Sequence, residues 1–221
     1  MNIIKPSVEF IAGYDEMTML KIIEKIARKC YKSEDKITED GESAKRMVKM
    51  LFDKNHLAMV EHVGITYSVI CDRGVTHEIV RHRLGSYAQE STRYCNYSYG
   101  KFGNEITVID LSTGFDYNLN NEDDRARYEE WQKAMDDAER HYMKMIEHGA
   151  TPQEARSVLP NSLKTEIVIT YNLREWLHFF ELRFIGTTGA PHPQMREVAK
   201  MLYEDAIKRY PYILGTCAQL M

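Results

Sequence analysis

The stretch Val63 to Cys71, VGITYSVIC, places the strongest limit on the fold. Its β-branched and aromatic side chains suit a pleated strand and crowd the preceding turn of a helix. Thr165 to Tyr171 alternates as a second strand, with one set of side chains inward and the other outward. Directly after it, NLREWLHFFELR is strongly amphipathic at helical spacing. After the first strand, Asp72-Arg73-Gly74 turns the chain into a helix predicted from Val75 to about Leu84, with Gly85 as its stop. Strands that hand over directly to helices need layers of both kinds to bury their apolar faces.

The remaining pattern agrees. Val8 to Ile11 reads as a short strand, 16–31 and Glu42 to Asp53 as helices, and Ile106 to Ile109 as a further strand. A long helix runs from Glu122 to Gly149, a short one follows the Thr151-Pro152 cap pair, and a last one spans about Pro193 to Tyr210. The expected fold is α+β: a mixed, largely antiparallel sheet flanked by helices, in a single domain over residues 1–221 with helical extensions. A net charge of −4 excludes a general attraction to nucleic acid or anionic membrane, so any anion site must be a local cluster. No apolar run approaches the roughly 20 residues that span a bilayer. Cys30, Cys71, Cys95 and Cys217 are widely spaced and form no CxxC pair. Free thiols in a cytoplasmic protein are expected.

The segment THEIVRHRLGSYAQESTRYC, 76–95, carries the chemistry. It begins like a metal motif, but ligands on one helical face should be four apart. His77 and His82 are five apart, about 140° round a helix, and His56 and His62 are also poorly phased. No metal is expected. Arg81, His82 and Arg83 precede a polar run that ends in another arginine, Arg93. Cations near a helix end favour its dipole, which accounts for their place but not for the polar run after them. Arginine forks match phosphate and carboxylate oxygens. The cluster therefore reads either as an anion site or as a solvated basic face.

A second cluster joins Glu154-Ala155-Arg156, Asn172-Leu173-Arg174, His178 and Arg183. Helical intervals put Arg174, His178 and Glu181 on one face, with Arg183 turned away from it. A satisfied core histidine is the plain alternative for His178. Two such clusters in a weakly acidic chain favour a polyanion of nucleotide size.

Arg81-His82-Arg83, seven residues, then Ser91-Thr92-Arg93 resembles the RHR-x7-SxR signature of the flavin-dependent thymidylate synthases. The likeness runs along nearly the whole chain: Ala27-Arg28-Lys29-Cys30-Tyr31, His56 with Glu61-His62, Glu154-Ala155-Arg156 with Leu159-Pro160, and Asn172-Leu173-Arg174 to Arg183. The resemblance implies methylation of dUMP to dTMP, with 5,10-methylenetetrahydrofolate as carbon donor, FAD as the hydride carrier and NADPH to re-reduce it. It implies a homotetramer whose active sites are shared between subunits. No nucleic-acid or membrane partner is implied by it.

Site residues come from the same resemblance. Glu78, Arg81, Gln89, Glu90, Ser91, Thr92, Arg93, Arg156 and Arg183 match dUMP-binding positions. His56, Ala58, Arg81, His82, Arg83, Gln89, Asn172, Leu173, Arg174 and His178 match flavin-binding positions. Arg183 is the expected catalytic residue, a guanidinium beside N3 and O2 of the pyrimidine that spreads the charge left by the N3 proton. Ser91 is expected to bind rather than attack, since no base adjoins it in sequence, and Cys95 to fill space.

Three positions depart from the family pattern. Ala58 offers only backbone where a hydroxyl is common. Glu78 stands where glutamine is common, which suggests a contact to base or sugar or a pair with Arg81 or His82. Gln89 stands where some members have glutamate. Rival readings are a nucleotide- or RNA-binding module without catalysis that uses the same arginines, with Tyr87, Tyr94, Tyr97 and Tyr99 as a weak set of interleaved aromatics, and a metal-dependent hydrolase.

Overall fold

A computed structural model of the chain describes residues 1–217. Six strands occur in chain order: β1 (Asn2–Ile4), β2 (Ser7–Gly13), β3 (Gly64–Asp72), β4 (Gly85–Gln89), β5 (Thr107–Ile109) and β6 (Lys164–Asn172). The main sheet runs β2-β3-β6-β4 and every neighbouring pair is antiparallel. β1 and β5 form a separate parallel ladder, which a Val108–Leu163 bridge ties to the start of β6. The expected α+β architecture is therefore the observed one.

β3 and β6 pair along their whole length, Gly64 opposite Asn172 and Asp72 opposite Lys164. Because side chains alternate, one face collects Ile65, Tyr67, Val69 and Cys71 with Ile167, Ile169 and Tyr171, all buried. The opposite face mixes polar side chains with Ile70 and Val168. There the Thr66 and Thr170 hydroxyls lie 2.9 Å apart, and Ser68 Oγ donates to Glu166 Oε1 at 3.0 Å. Helices cover the apolar face: α1 (Glu16–Tyr31), α2 (Glu42–Asp53), α6 (Leu173–Phe180), α7 (Pro193–Arg209) and α8 (Pro211–Cys217). Leu20, Ile23, Leu51, Phe52, Trp176 and Phe179 are each at most 1% exposed. Burying one such side chain contributes roughly 1.5–3 kcal/mol.

The other helices are α3 (Arg73–Ile79), α4 (Glu122–Glu147) and α5 (Pro152–Ala155). Met135 and Tyr142 of α4 pack on Tyr97, Ile106, Val108, Ala155 and Leu163, making a second apolar cluster around the β1–β5 ladder. This is the expected helical extension.

The structure revises several elements. The helix predicted to reach Leu84 ends at Ile79. Beyond it Gly85 opens β4, where Gly85 pairs with Tyr171 and Gln89 with Ile167. Gly85 is there for close approach rather than as a helix stop, since an added Cβ would lie 2.2 Å from the Tyr171 ring. The helix after Asn172 gives way at Glu181–Ile185 to a wider π turn, closed by the Gly186 N–H on the Glu181 carbonyl at 2.9 Å. β1 is an addition to the expected strands, and β2 extends past Ile11 across a bulge between Phe10 and Ala12. Cys30, Cys71 and Cys95 are unpaired; the thiol expected at Cys217 belongs to a side chain outside the described residues. No helix among the described residues is long and apolar enough to cross a membrane.

Candidate active site

Two strand-to-helix junctions build the site. Asp72 ends β3 and caps α3, accepting from the Val75 N–H at 2.6 Å. Burial raises the Asp72 pKa, against the downward pull of that N–H. Asn172 ends β6 and caps α6 in the same way, accepting from the Glu175 N–H at 2.9 Å. The second cap fixes the first turn of α6 and with it the buried Glu175.

The end of α3 is held from the sheet. The Tyr87 and Tyr171 hydroxyls lie 2.8 Å apart and reach the Ile79 carbonyl at 3.1 and 3.2 Å. Tyr87 also reaches the His82 carbonyl. The turn so fixed drops His82 into the protein, 4% exposed. Its Nδ1 lies 2.8 Å from Glu175 Oε1, and its Nε2 lies 3.2 Å from Arg183 Nε. A guanidinium only donates, so Nε2 carries the lone pair and the ring proton sits on Nδ1, donated to Glu175. Burial lowers the His82 pKa, Glu175 pulls it up, and Arg183 and His178 push it further down. At neutral pH His82 is the uncharged link between a carboxylate and a guanidinium.

Arg183 lies in the π turn. Helical spacing turned it away from His178, yet the two meet around His82, whose ring is 5.7 Å from that of His178. A π turn adds a residue to the helical circuit and re-aims the side chains beyond it. Arg183 Nη1 donates to Glu78 Oε2 at 2.8 Å, and Nη2 to the Glu78 carbonyl at 3.3 Å. Three of the five N–H donors of a guanidinium are thus engaged within the chain. Glu78 therefore pairs with Arg183, rather than with Arg81 or His82.

Beside this chain of charges lies a cavity of about 600 Å³, walled by Asn55, Leu57, Leu84, Arg174, Glu175, Leu177, His178 and Glu181. Arg174, His178 and Glu181 share its wall, as their spacing predicts. Arg174 pairs with Glu61 at 2.5 Å, and His178 Nδ1 lies 3.6 Å from Glu181. His56 stands between Asn55 and Leu57 of that wall, exposed, with Nδ1 3.4 Å from the Tyr31 hydroxyl. Ala58 comes next in an exposed short turn, and Leu173 is buried, its N–H donating to the Val63 carbonyl.

Residues 89–93 form a second group where β4 ends. Gln89 Nε2 donates to the Thr76 and Thr165 hydroxyls, each at 3.2 Å. Glu90 pairs with Lys164 at 2.7 Å and accepts from the Tyr97 hydroxyl at 3.2 Å. Ser91 Oγ accepts from the Arg93 N–H at 3.3 Å, Thr92 is buried, and Arg93 lies over the Tyr94 ring, exposed. Arg81, Arg83 and Arg156 are exposed and have no side-chain partner among the described residues. Arg156 sits on the turn beside α4, in the helical extension. Sequence reasoning missed Glu175, Arg73 and Lys164. Arg73 reaches the Glu90 carbonyl at 3.4 Å. A carboxylate beside Trp176 and Leu177 was the available signal for Glu175. Among the described residues no three His, Cys, Asp or Glu side chains gather as metal ligands.

The family model for the thymidylate synthase complementing protein matches residues 14–212. The chain belongs to this family, the flavin-dependent thymidylate synthases. It is 35% identical over 176 residues to the flavin-dependent thymidylate synthase of Pyrococcus abyssi (strain GE5 / Orsay), a match covering 79% of this chain and 66% of that protein. With the Pyrococcus furiosus member it shares 37% over 155 residues, 70% of this chain and 59% of that one. The chain thus spans slightly less than two thirds of the length of these relatives. In structure it resembles the UMP/dUMP methylase PolB from Streptomyces cacaoi, crystallised with 5-Br dUMP, at a TM-score of 0.83 and 20% identity over 99% of this chain and 97% of that one. At that identity the likeness bears on the fold alone: the sheet and its helices are arranged as in that enzyme.

Proposed function

We propose that the protein is a flavin-dependent thymidylate synthase that methylates dUMP to dTMP. The observation that carries this reading is Arg183, anchored on three sides with two N–H donors left, beside a cavity walled by Arg174 and His178. 5,10-Methylenetetrahydrofolate is the carbon donor and NADPH the reductant. Bound FAD supplies the hydride chemistry.

The donor set suits such a group. Arg174, His178 and Asn55 line the cavity together with Glu175 and Glu181, and His56 and Ala58 flank Leu57 in the chain; these polar groups around apolar Leu57 and Leu177 fit a ring system, with Arg174 the cation available to a diphosphate. Asn172 and Leu173 place Arg174 there through the cap and the buried first turn. Exposed Arg81 and Arg83, which lack carboxylate partners among the described residues, are free to hold phosphate. His82 acts from within, through Arg183.

Arg183 serves the pyrimidine. Its guanidinium favours loss of the N3 proton and spreads the resulting charge over N3 and O2, which makes carbon 5 nucleophilic. Glu78 would release part of Arg183 to the base. Gln89, Glu90, Ser91, Thr92 and Arg93 take the phosphate and sugar, and Arg156 adds a second phosphate contact. These groups lie in separate patches of one chain, which supports a homotetramer whose neighbouring subunits complete each site. A cytoplasmic location suits that chemistry.

Anaerobic incubation with FAD, dUMP, 5,10-methylenetetrahydrofolate and NADPH tests the reading by the appearance of dTMP, with UMP in a parallel arm. Arg183→Ala is expected to lower turnover by about 100-fold or more, the usual cost of removing one such charge-stabilising donor. Ser91→Ala is expected to retain measurable dTMP formation. A Ser91→Ala protein that binds dUMP but is inactive would make Ser91 the nucleophile instead.

A further inference from the structure

We infer that Glu175 and His82 are positioning residues for the Arg183 guanidinium, Glu175 selecting the ring tautomer that leaves His82 Nε2 free to accept from Arg183 Nε. The inference rests on the proposed role of Arg183 and adds two residues that act through it.

The geometry has one consistent proton arrangement. Arg183 Nε, 3.2 Å from His82 Nε2, must donate, so that nitrogen cannot carry a proton. The proton then belongs on Nδ1, where Glu175 Oε1 at 2.8 Å accepts it. Glu175 and His82 side chains are 6% and 2% exposed, so water competes weakly for either bond. Glu78 takes Nη1 at 2.8 Å, so the guanidinium is held at both ends and keeps two N–H donors without a partner within the chain. Without the Nε anchor the guanidinium is held by Glu78 alone and can swing about that pair, which degrades its orientation toward a pyrimidine.

Protonation breaks the device. A proton on His82 Nε2 sets two donors and two positive charges against each other at the present 3.2 Å contact. The groups facing the ring are Glu175 and His178 from α6, Arg183 from the π turn with Glu78 of α3 behind it, Tyr171 from β6, and Tyr87 from β4 at the His82 carbonyl. His178 and Arg183 disfavour the imidazolium, and Glu175 alone of the directly facing groups favours it. Turnover should therefore carry an acid limb that reports His82.

The test uses the chain of 221 residues loaded with FAD. In the wild type, imidazole nitrogen NMR on histidine-labelled protein should show His82 neutral with its proton on Nδ1 at pH 7. The rate of dTMP formation should fall about tenfold per pH unit below the His82 titration. His82→Leu removes the acceptor and should lower kcat by about 100-fold while KM for dUMP changes less than about fivefold, the pattern of a group that acts in the transition state. His82→Gln, whose amide oxygen can still accept from Arg183 but cannot titrate, should recover at least tenfold of that loss and flatten the acid limb. If His82→Leu fails to fold, the flattened profile of His82→Gln decides alone. An unchanged acid limb in His82→Gln, or a wild-type His82 that is cationic or protonated on Nε2 at pH 7, overturns the inference. A wild type that forms no dTMP at any pH overturns the proposed function instead, and the NMR signal then still upholds or rejects the Glu175–His82–Arg183 arrangement.

Discussion

His82 shows how burial and charge compete at one residue. Its pKa is lowered by burial despite the carboxylate 2.8 Å away. An unfolded chain returns the ring to a pKa of about 6.5. Between the lowered value and about 6.5 the unfolded state binds more protons, so stability rises with pH across that window and is lost as pH falls through it. Urea unfolding followed from pH 7 to pH 5 should show this loss, and His82→Gln should flatten it. Glu78 offers the opposite test. It neutralises Arg183 through a partly exposed pair, 20% and 30% exposed, worth up to about 1 kcal/mol. Glu78→Gln keeps an acceptor but removes the charge that repels phosphate, so calorimetry should show dUMP binding tightened by up to about fivefold. The residue types at 78, 82 and 183 were legible as polar groups out of place. Their partners were not, because each lies on a different element.

At the scale of elements, the strand-to-helix junctions were plain in the sequence. Asp72 and Asn172 each come after a β-rich run and precede helical spacing, and each caps its helix. Asn172→Ala should cost about 1 kcal/mol, read as a lower melting temperature. It should also loosen Glu175, whose N–H the cap holds. β4 was hidden because Gly85–Gln89 is too short and polar to declare itself a strand; pairing with β6 makes it one. Gly85→Ala places a methyl against the Tyr171 ring, and such overpacking costs about 1–3 kcal/mol. Since Tyr171 also holds the end of α3 at the Ile79 carbonyl, the same variant should disturb His82, visible as a shift in its ring resonances. The π turn was equally hidden. The sequence around Arg183 continues a helical pattern, and packing decides where the helix widens.

At the scale of the molecule, one face of the main sheet is buried under helices and the other is mixed, with Thr66, Thr170, Ser68 and Glu166 along it beside Ile70 and Val168. Of the exposed arginines, Arg81 and Arg83 flank His82 of the Arg183 group, whereas Arg93 and Arg156 lie on other segments. If neighbouring copies bring them together, light scattering should report four chains per particle. FAD should then stabilise the assembly by mass action, by about 2.7 kcal/mol at a concentration 100 times its Kd, and thermal unfolding with and without FAD measures that shift.

The sequence by itself determined the features that local forces decide: which segments are pleated or helical, where most helices start, that the architecture is α+β, and, through the arginine-rich signature, the family. Periodicity and capping act within a few residues, so they can be read along the chain. Tertiary structure alone decided that Glu78, His82, Glu175 and Arg183 share one line of hydrogen bonds, that 85–89 is an edge strand, and that Arg183 faces His82. Those outcomes depend on long-range register and on which side chains share a buried space, and no local pattern carries that information.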